Sequence, residues 1–354
     1  MYLEYFSLRD FPFRLTPDTD FIYMSEAHSR AKAYMDYTVW NRDGFVVITG
    51  EIGCGKTTLI QKLLSELDQN VLVAKIFQTQ LDEVEFLQAV LVEFGLNPFN
   101  AKKVELIDML NTFLVDQFQQ GRQLVLVVDD AHNLSSKVLE EIRMLSGLET
   151  KKEKVLHVIL VGQPQLNETL EAPELEQLLQ RVRLRYHLRS LSEGDTKAYI
   201  LHRLFVAGAT DGELFSPATW SVIYKYTGGL PRLINTLCDT ALVCAYADSQ
   251  PKVTEVILNG AVEELHWLPY AKRVNQQRLR NRPAGNDYQQ ELRDQTRALI
   301  GVGQRMTQID ALVPALNALT GRMANIENLL RRIAGELPTV VPSSNERKGG
   351  GKQK

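Results

Sequence analysis

The chain of 354 residues carries 40 Lys and Arg against 43 Asp and Glu, a formal net charge of −3. This near-neutral balance excludes a global field that would hold the protein on nucleic acid or anionic lipid. The length suits two or more domains, with a core large enough to fold alone. The three cysteines have neither metal-ligand nor disulfide spacing, and the sequence shows neither a signal-peptide pattern nor a membrane-spanning apolar run. We therefore expect a cytoplasmic protein without a transmembrane segment.

A glycine-rich loop follows the first predicted strand. Residues 45–49 are apolar and mostly β-branched, which is typical of a strand buried on both faces of a parallel sheet. After the loop, residues 58–67 carry apolar side chains at helical spacing. This order suits phosphate binding, because loop N–H groups and the N-terminus of the following helix meet phosphate oxygens. The predicted nucleotide-binding residues are Gly50, Glu51, Ile52, Gly53, Cys54, Gly55, Lys56, Thr57 and Thr58.

Magnesium ligands and a general base are predicted from this loop and a second motif. In the loop, Lys56 would reach the β and γ phosphates and the Thr57 hydroxyl would ligate Mg²⁺. The apolar run 124–128 ends in Asp129 and Asp130, at the edge where open α/β sheets bind ligands. Beside a phosphate loop, Asp129 would hold Mg²⁺ through its water shell, and Asp130 would act as general base. We therefore expect ATP and Mg²⁺ as cofactors.

The remaining segments alternate between strand and helix patterns and then become helical. Further strands are predicted at 71–76, 155–161 and 183–188, and further helices at 82–94, 104–118, 137–148 and 165–180. Five strands, all parallel, give a doubly wound α/β sheet. From residue 192 onward the strand pattern ends. Helices of a separate subdomain are predicted at 196–207, 217–226, 232–248 and 254–265.

Five motifs occur in an order that resembles one protein family. After the phosphate loop and the two acids come Val-Gly-Gln-Pro-Gln-Leu at 161–166, Gln-Arg-Val-Arg-Leu-Arg-Tyr-His-Leu at 180–188 and Gly-Gly-Leu-Pro-Arg-Leu-Ile-Asn at 228–235. Together with residues 6–23, they resemble the AAA+ ATPases of the general secretion pathway protein A family. The resemblance implies a P-loop three-layer sandwich with a parallel five-stranded sheet, followed by an α-helical lid. The implied segments are an N-terminal family-specific segment at 1–40, the ATPase core at 41–190 and the lid at 191–270.

The resemblance also implies roles for three polar residues. Gln163 occupies the position called sensor 1, where its amide could orient the attacking water; the alternative is a turn glutamine before Pro164. Arg181 occupies the position of an arginine finger that reaches a neighbouring subunit's γ-phosphate. Arg183 and Arg185 are close enough to compete for that role, and a basic strand edge is the alternative for each of them.

Arg232 matches sensor 2, where a lid helix crosses the nucleotide. Pro231 suits the first turn of that helix. One departure concerns the base position, since many AAA+ enzymes have Asp-Glu where this chain has Asp129-Asp130. The shorter Asp130 side chain leaves the rate of hydrolysis open without affecting ATP binding.

The C-terminal quarter has a different composition. Residues 271–286 form a basic linker, read either as a solvated connector or as a contact for nucleic acid or anionic lipid. Apolar residues then recur at spacings of three and four from Leu299 to Leu337, which predicts a coiled coil at 287–337 or an amphipathic helix packed on its own ATPase domain. Residues 338–354 are rich in Pro, Ser, Gly and Lys and are predicted to be disordered.

These expectations combine into a homo-oligomeric ATP-driven motor or switch. The family resemblance implies a role in envelope secretion or in polysaccharide or protein export, with an envelope-assembly protein as partner and a peripheral position at the inner membrane. One alternative is a DNA-associated AAA+ switch of the transposition-regulator type, which would bind duplex DNA. Another is an ATP-gated scaffold that does not hydrolyse ATP.

Overall fold

The computed structural model describes residues 2–41, 44–149, 153–209 and 214–280. Residues 2–276 belong to one compact unit. The predicted coiled coil at 287–337 and the predicted disordered tail at 338–354 lie outside the described residues, as does the basic linker after residue 280.

Five parallel strands form one sheet in the order β2-β3-β4-β1-β5. Residues of β1, β3 and β4 are buried along almost their whole length, which explains their continuous apolar sequence. The phosphate loop follows β1, which pairs with β4 on one side and with the edge strand β5 on the other. The prediction of a parallel P-loop α/β sheet is confirmed. The strands are β1 Phe45–Gly50, β2 Val71–Ile76, β3 Gln123–Val128, β4 Leu156–Gly162 and β5 Val182–Leu188.

Helices cover both faces of the sheet and then form a separate layer. The helices before and between the strands are α1 Tyr2–Tyr5, α2 Glu26–Trp40, α3 Lys56–Ser65, α4 Glu83–Glu93, α5 Lys103–Gln119, α6 Ser136–Leu145, α7 Gln165–Leu170 and α8 Glu176–Leu179. The helices after β5 are α9 Glu193–Val206, α10 Thr219–Thr227, α11 Pro231–Ala247, α12 Glu255–Glu264 and α13 Tyr270–Arg280. Within the second group, α9 to α12 form the helical lid.

The helix predicted at 165–180 is interrupted. The structure has α7, a 3₁₀ turn at Pro173–Leu175 and then α8. Pro173 explains the break, because proline lacks an N–H donor and disfavours helical dihedrals at the preceding residue. Ala172 accordingly has extended dihedrals, with φ −63° and ψ 140°.

The apolar core has three parts. One cluster lies between the sheet and α4, α5, α6 and α8, and a second lies between the opposite sheet face and α2 and α3. The third fills the lid and includes Phe6, Phe13 and Phe21 from the N-terminal segment. That segment therefore contributes to the lid core through its first part and to the sheet through α2.

A pair of glycines joins α10 to α11. Gly228 ends α10 in the left-handed region at φ 59°, and Gly229 follows at φ 73°. The Gly229 carbonyl accepts a hydrogen bond of 2.9 Å from the Leu191 N–H. A Cβ at Gly229 would lie 2.0 Å from the Leu191 carbonyl oxygen, so a side chain has no room there. We call Gly228 and Gly229 the hinge.

Helix α13 begins on this hinge. A Cβ at Gly228 would lie 2.1 Å from the Tyr270 ring, which occupies that space. One turn later the Arg273 guanidinium lies 4.4 Å from the centre of the Trp267 ring and donates to the Tyr226 carbonyl. Burial lowers the pKa of Arg273. The start of α13 is thus fixed to the residues that precede α11.

Across the ranges that the structure describes, none of the helices combines the length and the apolar character that a membrane span requires.

Substituting Gly229 by alanine should destabilise the protein strongly, because the new Cβ would strike the Leu191 backbone at a positive φ. We expect a loss of about 2 kcal/mol or more, or failure to fold. The matched control is Gly260→Ala in α12, where a Cβ meets nothing within 4 Å. That variant should gain about 0.5–1 kcal/mol from helix propensity. Urea unfolding of both variants measures the difference, and equal stabilities would contradict the role given to the hinge.

Candidate functional site

A cavity of about 420 Å³ lies at the carboxyl end of the sheet. Its walls come from the phosphate loop, the N-terminal segment and the lid. Gln163, after β4, lines the same cavity. The predicted residues that line it are Ile52, Gly53, Gly55, Lys56, Thr57, Thr58, Asp130, Gln163 and Arg232.

The side chain of Lys56 is buried and bonded to carbonyl groups of the phosphate loop. Gly53 and Gly55 have φ values of +80° and +100°, which only glycine adopts without strain. Lys56 is 8% exposed, and its Nζ donates to the carbonyl oxygens of Gly50 at 2.8 Å and Glu51 at 3.0 Å. Both acceptors are neutral, so the ammonium charge remains available to an anion in the cavity.

The predicted magnesium ligands contact each other. The Thr57 hydroxyl donates to Asp129 Oδ2 at 2.7 Å, and the Asp130 N–H donates to Asp129 Oδ1 at 2.9 Å. Asp129 is 4% exposed, and burial raises its pKa while the hydrogen bond from Thr57 lowers it. A carboxylate buried in this way is stabilised by a bound cation. This oxygen-rich pair therefore fits Mg²⁺.

His132, which no sequence motif indicated, lies between the predicted base Asp130 and the predicted sensor Gln163. Asp130 is exposed to the cavity and has left-handed dihedrals, with φ 50°. His132 Nδ1 lies 3.8 Å from Asp130 Oδ1, and His132 Nε2 lies 2.6 Å from Gln163 Nε2. The imidazole therefore fixes the Gln163 side chain beside Asp130. The sequence feature that could have indicated His132 is its position two residues after Asp130.

The lid touches the phosphate loop through its longest helix. The Arg232 N–H, in the first turn of α11, donates to the Gly53 carbonyl at 3.1 Å. A Cβ at Gly53 would lie 2.5 Å from Arg232 Cβ, so the backbones meet without space for a side chain on the loop. Pro231 occupies the first helical position, where no N–H is required. Arg232 thus lines the cavity next to the phosphate loop.

The N-terminal segment holds the phosphate loop from the opposite side. His28 Nε2 lies 3.0 Å from the Cys54 carbonyl oxygen, and Nδ1 lies 2.7 Å from Ser25 Oγ. Because a carbonyl can only accept, Nε2 carries the proton and Nδ1 accepts from the serine hydroxyl. Burial lowers the pKa of His28 and raises that of the Cys54 thiol. Cys54 is fully buried, and its side chain is directed away from the cavity.

Several predicted residues do not line the cavity. Gly50, Glu51, Cys54 and Asp129 are not among the lining residues, and Arg181 lies elsewhere. Arg181 Nη1 donates to the Arg143 carbonyl at 2.5 Å and to Ser146 Oγ at 2.9 Å, at the carboxyl end of α6. The two competing arginines are also engaged. The Arg183 guanidinium lies 5.8 Å from the centre of the Tyr37 ring, and that of Arg185 lies 3.5 Å from the Glu171 carboxylate.

Another part of the cavity wall was not predicted. It is built by residues 14–18 and Phe21 of the N-terminal segment and by lid residues. The lid residues concerned are Tyr199, Arg203 and Asn235. Residues 14–18, Phe21 and Asn235 fall within the family motifs at 6–23 and 228–235 but had no predicted role, whereas Tyr199 and Arg203 fall in no motif.

Comparison with known proteins places the chain in a family. Residues 40–170 match a family model described as an AAA domain. Over 270 residues the chain is 39% identical to general secretion pathway protein A of Aeromonas hydrophila, an alignment that covers 76% of this chain and 49% of the relative. The chain is an AAA+ protein of the general secretion pathway protein A family. It spans about half the length of that relative.

Solved structures share this AAA+ fold at low sequence identity. The ORC2 protein of Aeropyrum pernix, in ADPNP–ADP complexes, is 17% identical with a TM-score of 0.51, covering 68% of this chain and 66% of that chain. Cdc6p of Pyrobaculum aerophilum is 16% identical, with a TM-score of 0.55 and coverage of 74% and 70%. Drosophila ORC bound to DNA is 16% identical, with a TM-score of 0.58 and coverage of 80% and 70%. These likenesses concern the fold alone.

The buried His28 should make stability depend on pH. The pKa of His28 is lower in the folded state than in the unfolded chain, so the unfolded chain binds a proton more readily. The free energy of unfolding therefore falls as the pH drops through the pKa of an unfolded-state histidine, about 6.5. We expect His28→Gln to flatten this fall between about pH 7.5 and about pH 5.5, by up to ~1.4 kcal/mol per pH unit. Urea unfolding across that range measures it. His266→Asn, at an exposed position, should keep the wild-type slope. Parallel curves for wild type and His28→Gln would contradict the prediction.

Proposed function

We propose that this AAA+ chain binds Mg-ATP in the cavity, hydrolyses it and acts as an oligomeric switch in envelope secretion or export assembly. Nucleotide binding is supported by the way in which several predicted residues come together. Lys56, Thr57, Asp130 and Arg232 line one cavity of about 420 Å³, and the Thr57 hydroxyl donates to the buried Asp129. The family relationship supports nucleotide binding at this place.

Binding would begin at the phosphate loop. Lys56 would turn from the Gly50 and Glu51 carbonyls toward the β and γ phosphates, exchanging neutral acceptors for charged ones. Thr57 and Asp129 are already in contact and would hold Mg²⁺. Bound Mg²⁺ would neutralise charge on the phosphate oxygens.

Hydrolysis would depend on the group that Asp130, His132 and Gln163 form. Asp130 would accept the proton of the attacking water, and Gln163 would orient that water. His132 touches Gln163 and would act as a positioning residue, because it fixes where the amide lies relative to Asp130. Arg232 would connect the reaction to the lid, since its backbone is bonded to Gly53 in the loop.

Two substitutions separate binding from turnover. Lys56→Ala should weaken ATP binding about 100-fold, because the triphosphate loses a charged partner worth ~1.5–3 kcal/mol. Asp130→Asn should keep ATP affinity and lower the rate of phosphate release ~10²–10⁴-fold, because the base is removed. Fluorescent-nucleotide titration and phosphate release measure the two effects. Unchanged turnover in Asp130→Asn would place the base elsewhere, with Glu51 as one candidate; unmeasurable turnover in wild type would favour an ATP-gated scaffold.

Assembly into oligomers is supported by the position of Arg181. Its guanidinium is at the end of α6 and does not line the cavity of its own chain. A catalytic contact with the γ-phosphate would therefore be made in a neighbouring chain's cavity. We propose that the coiled coil at 287–337 adds to this self-association. The preceding chain would comprise an N-terminal family-specific segment at 1–40, the ATPase core at 41–190 and the lid at 191–270.

The role of Arg181 is testable by mixing variants. Arg181→Ala should bind ATP normally and hydrolyse it ~10³-fold more slowly or worse, because a charge that meets the transition state is lost. Mixing it with Lys56→Ala should restore part of the activity, since one mixed interface pairs an intact cavity with an intact arginine. Arg122→Ala, at an exposed position outside the cavity, serves as control and should retain turnover. Absence of recovery in hetero-oligomers shown to form would argue against a contact in trans.

The envelope role is supported by the relative's name, general secretion pathway protein A. Since the chain spans about half of that relative, the envelope component on which it acts is a separate proposal. Deletion of the gene should impair export or assembly of an envelope component, with rescue by the wild type and not by Lys56→Ala. Duplex-DNA binding that requires ATP and falls steeply with salt would instead support the DNA-associated switch.

A further inference from the structure

Arg203 is a buried arginine that lines the nucleotide cavity. It lies in the last turn of α9 and is 7% exposed. Its side chain belongs to the part of the wall where the lid meets the N-terminal segment. None of the established AAA+ motifs in the sequence includes it, and the reaction described above does not use it.

The guanidinium is held in a fixed plane. Nε donates to the Pro12 carbonyl and Nη1 donates to the Tyr199 hydroxyl at 3.1 Å. The central carbon lies 5.0 Å from the centre of the Phe21 ring and 5.6 Å from that of Tyr199. Two hydrogen bonds and two aromatic faces leave the head group little freedom. Lysine could not reproduce this, because an ammonium has no planar fork and no stacking surface.

One donor of this rigid group is unused. Arg203 Nη2 is buried and finds no hydrogen-bond partner in the described part of the chain. Within that part the side chain also makes no ion pair. An unsatisfied buried donor on a charged group is costly, and an acceptor that enters the cavity would remove that cost. The arrangement points to a ligand atom.

The position of Arg203 relative to the phosphate loop decides which half of a nucleotide it meets. Arg203 contacts Tyr199, whose hydroxyl donates to Asn235 Oδ1 at 2.8 Å. Asn235 follows Arg232 by one turn of α11, about 4.5 Å along the axis. Arg232 is the residue that touches the loop, at Gly53. In the described part of the chain, Arg203 is thus connected to the loop through Tyr199, Asn235 and Arg232, which is the arrangement expected of a residue that meets the nucleoside and not the phosphates.

We propose that Arg203 is a specificity-determining residue that reads the nucleoside half of the bound nucleotide. Nη2 donates a hydrogen bond to an acceptor there, either a ring nitrogen of the base or a ribose oxygen. Phe21 and Tyr199 hold the guanidinium in the plane from which it donates. This inference rests on the proposed nucleotide site and adds to it a means of distinguishing a nucleoside triphosphate from a bare triphosphate.

The first experiment compares ATP with inorganic tripolyphosphate on the full-length protein. Arg203→Met should weaken ATP and ADP binding about tenfold or more, and tripolyphosphate should bind as to wild type, because it has no nucleoside. Arg203→Lys should behave like Arg203→Met. Arg122→Met, at an exposed position outside the cavity, should leave the affinities for all ligands unchanged. Equal weakening of ATP and tripolyphosphate, or unchanged ATP binding, would overturn the proposal.

A second experiment needs no substitution that endangers folding. Wild-type protein is titrated with ATP analogues that each lack one acceptor: the 1-deaza, 3-deaza and 7-deaza bases and the 2′- and 3′-deoxy sugars. One analogue should bind about tenfold more weakly than ATP, and in a folded Arg203→Met protein the same analogue should match ATP. Equal affinity of wild type for every analogue would sink the proposal. Wild type that binds neither ATP nor tripolyphosphate would instead refute the nucleotide site itself.

Discussion

The contact between Gly53 and Arg232 is the constraint on which the nucleotide cavity depends. The two backbones share a hydrogen bond of 3.1 Å, and a side chain on residue 53 would strike Arg232. Because the phosphate loop belongs to the sheet and Arg232 to the lid, this close approach makes the two layers parts of one site. Gly228 and Gly229 then permit the sharp turn that delivers α11 to the loop. Without that turn, the lid would not face the loop.

The N-terminal segment completes the enclosure from a third direction. Its aromatic residues are part of the lid core, α2 packs on the sheet, and His28 bonds to the Cys54 carbonyl of the loop. A segment attached to both layers opposes their separation. The loop is thus supported by His28 on one side and Arg232 on the other, and its conformation does not depend on glycine dihedrals alone.

The sequence predicted the sheet and the glycine-rich loop because both leave local patterns. The apolar runs of β1, β3 and β4 reflect burial on both faces, and the loop is a contiguous octapeptide. The prediction of one helix over 165–180 was wrong, because Pro173 overrode the apolar periodicity. The contacts of His28, His132 and Arg203 were missed. Their partners Cys54, Gln163 and Pro12 are 26, 31 and 191 residues away, and such tertiary contacts have no period to detect.

Tyr270 and Arg273 fix the beginning of α13 to the hinge, at Gly228 and Tyr226. A point near a rotation axis moves through a short arc, and for a given torque it delivers a large force. If the lid turns about these two glycines, the chain at the start of α13 therefore moves little while the outer lid helices move far. The residues at the start of α13 thus lie where such a motion has the smallest displacement and the greatest mechanical advantage.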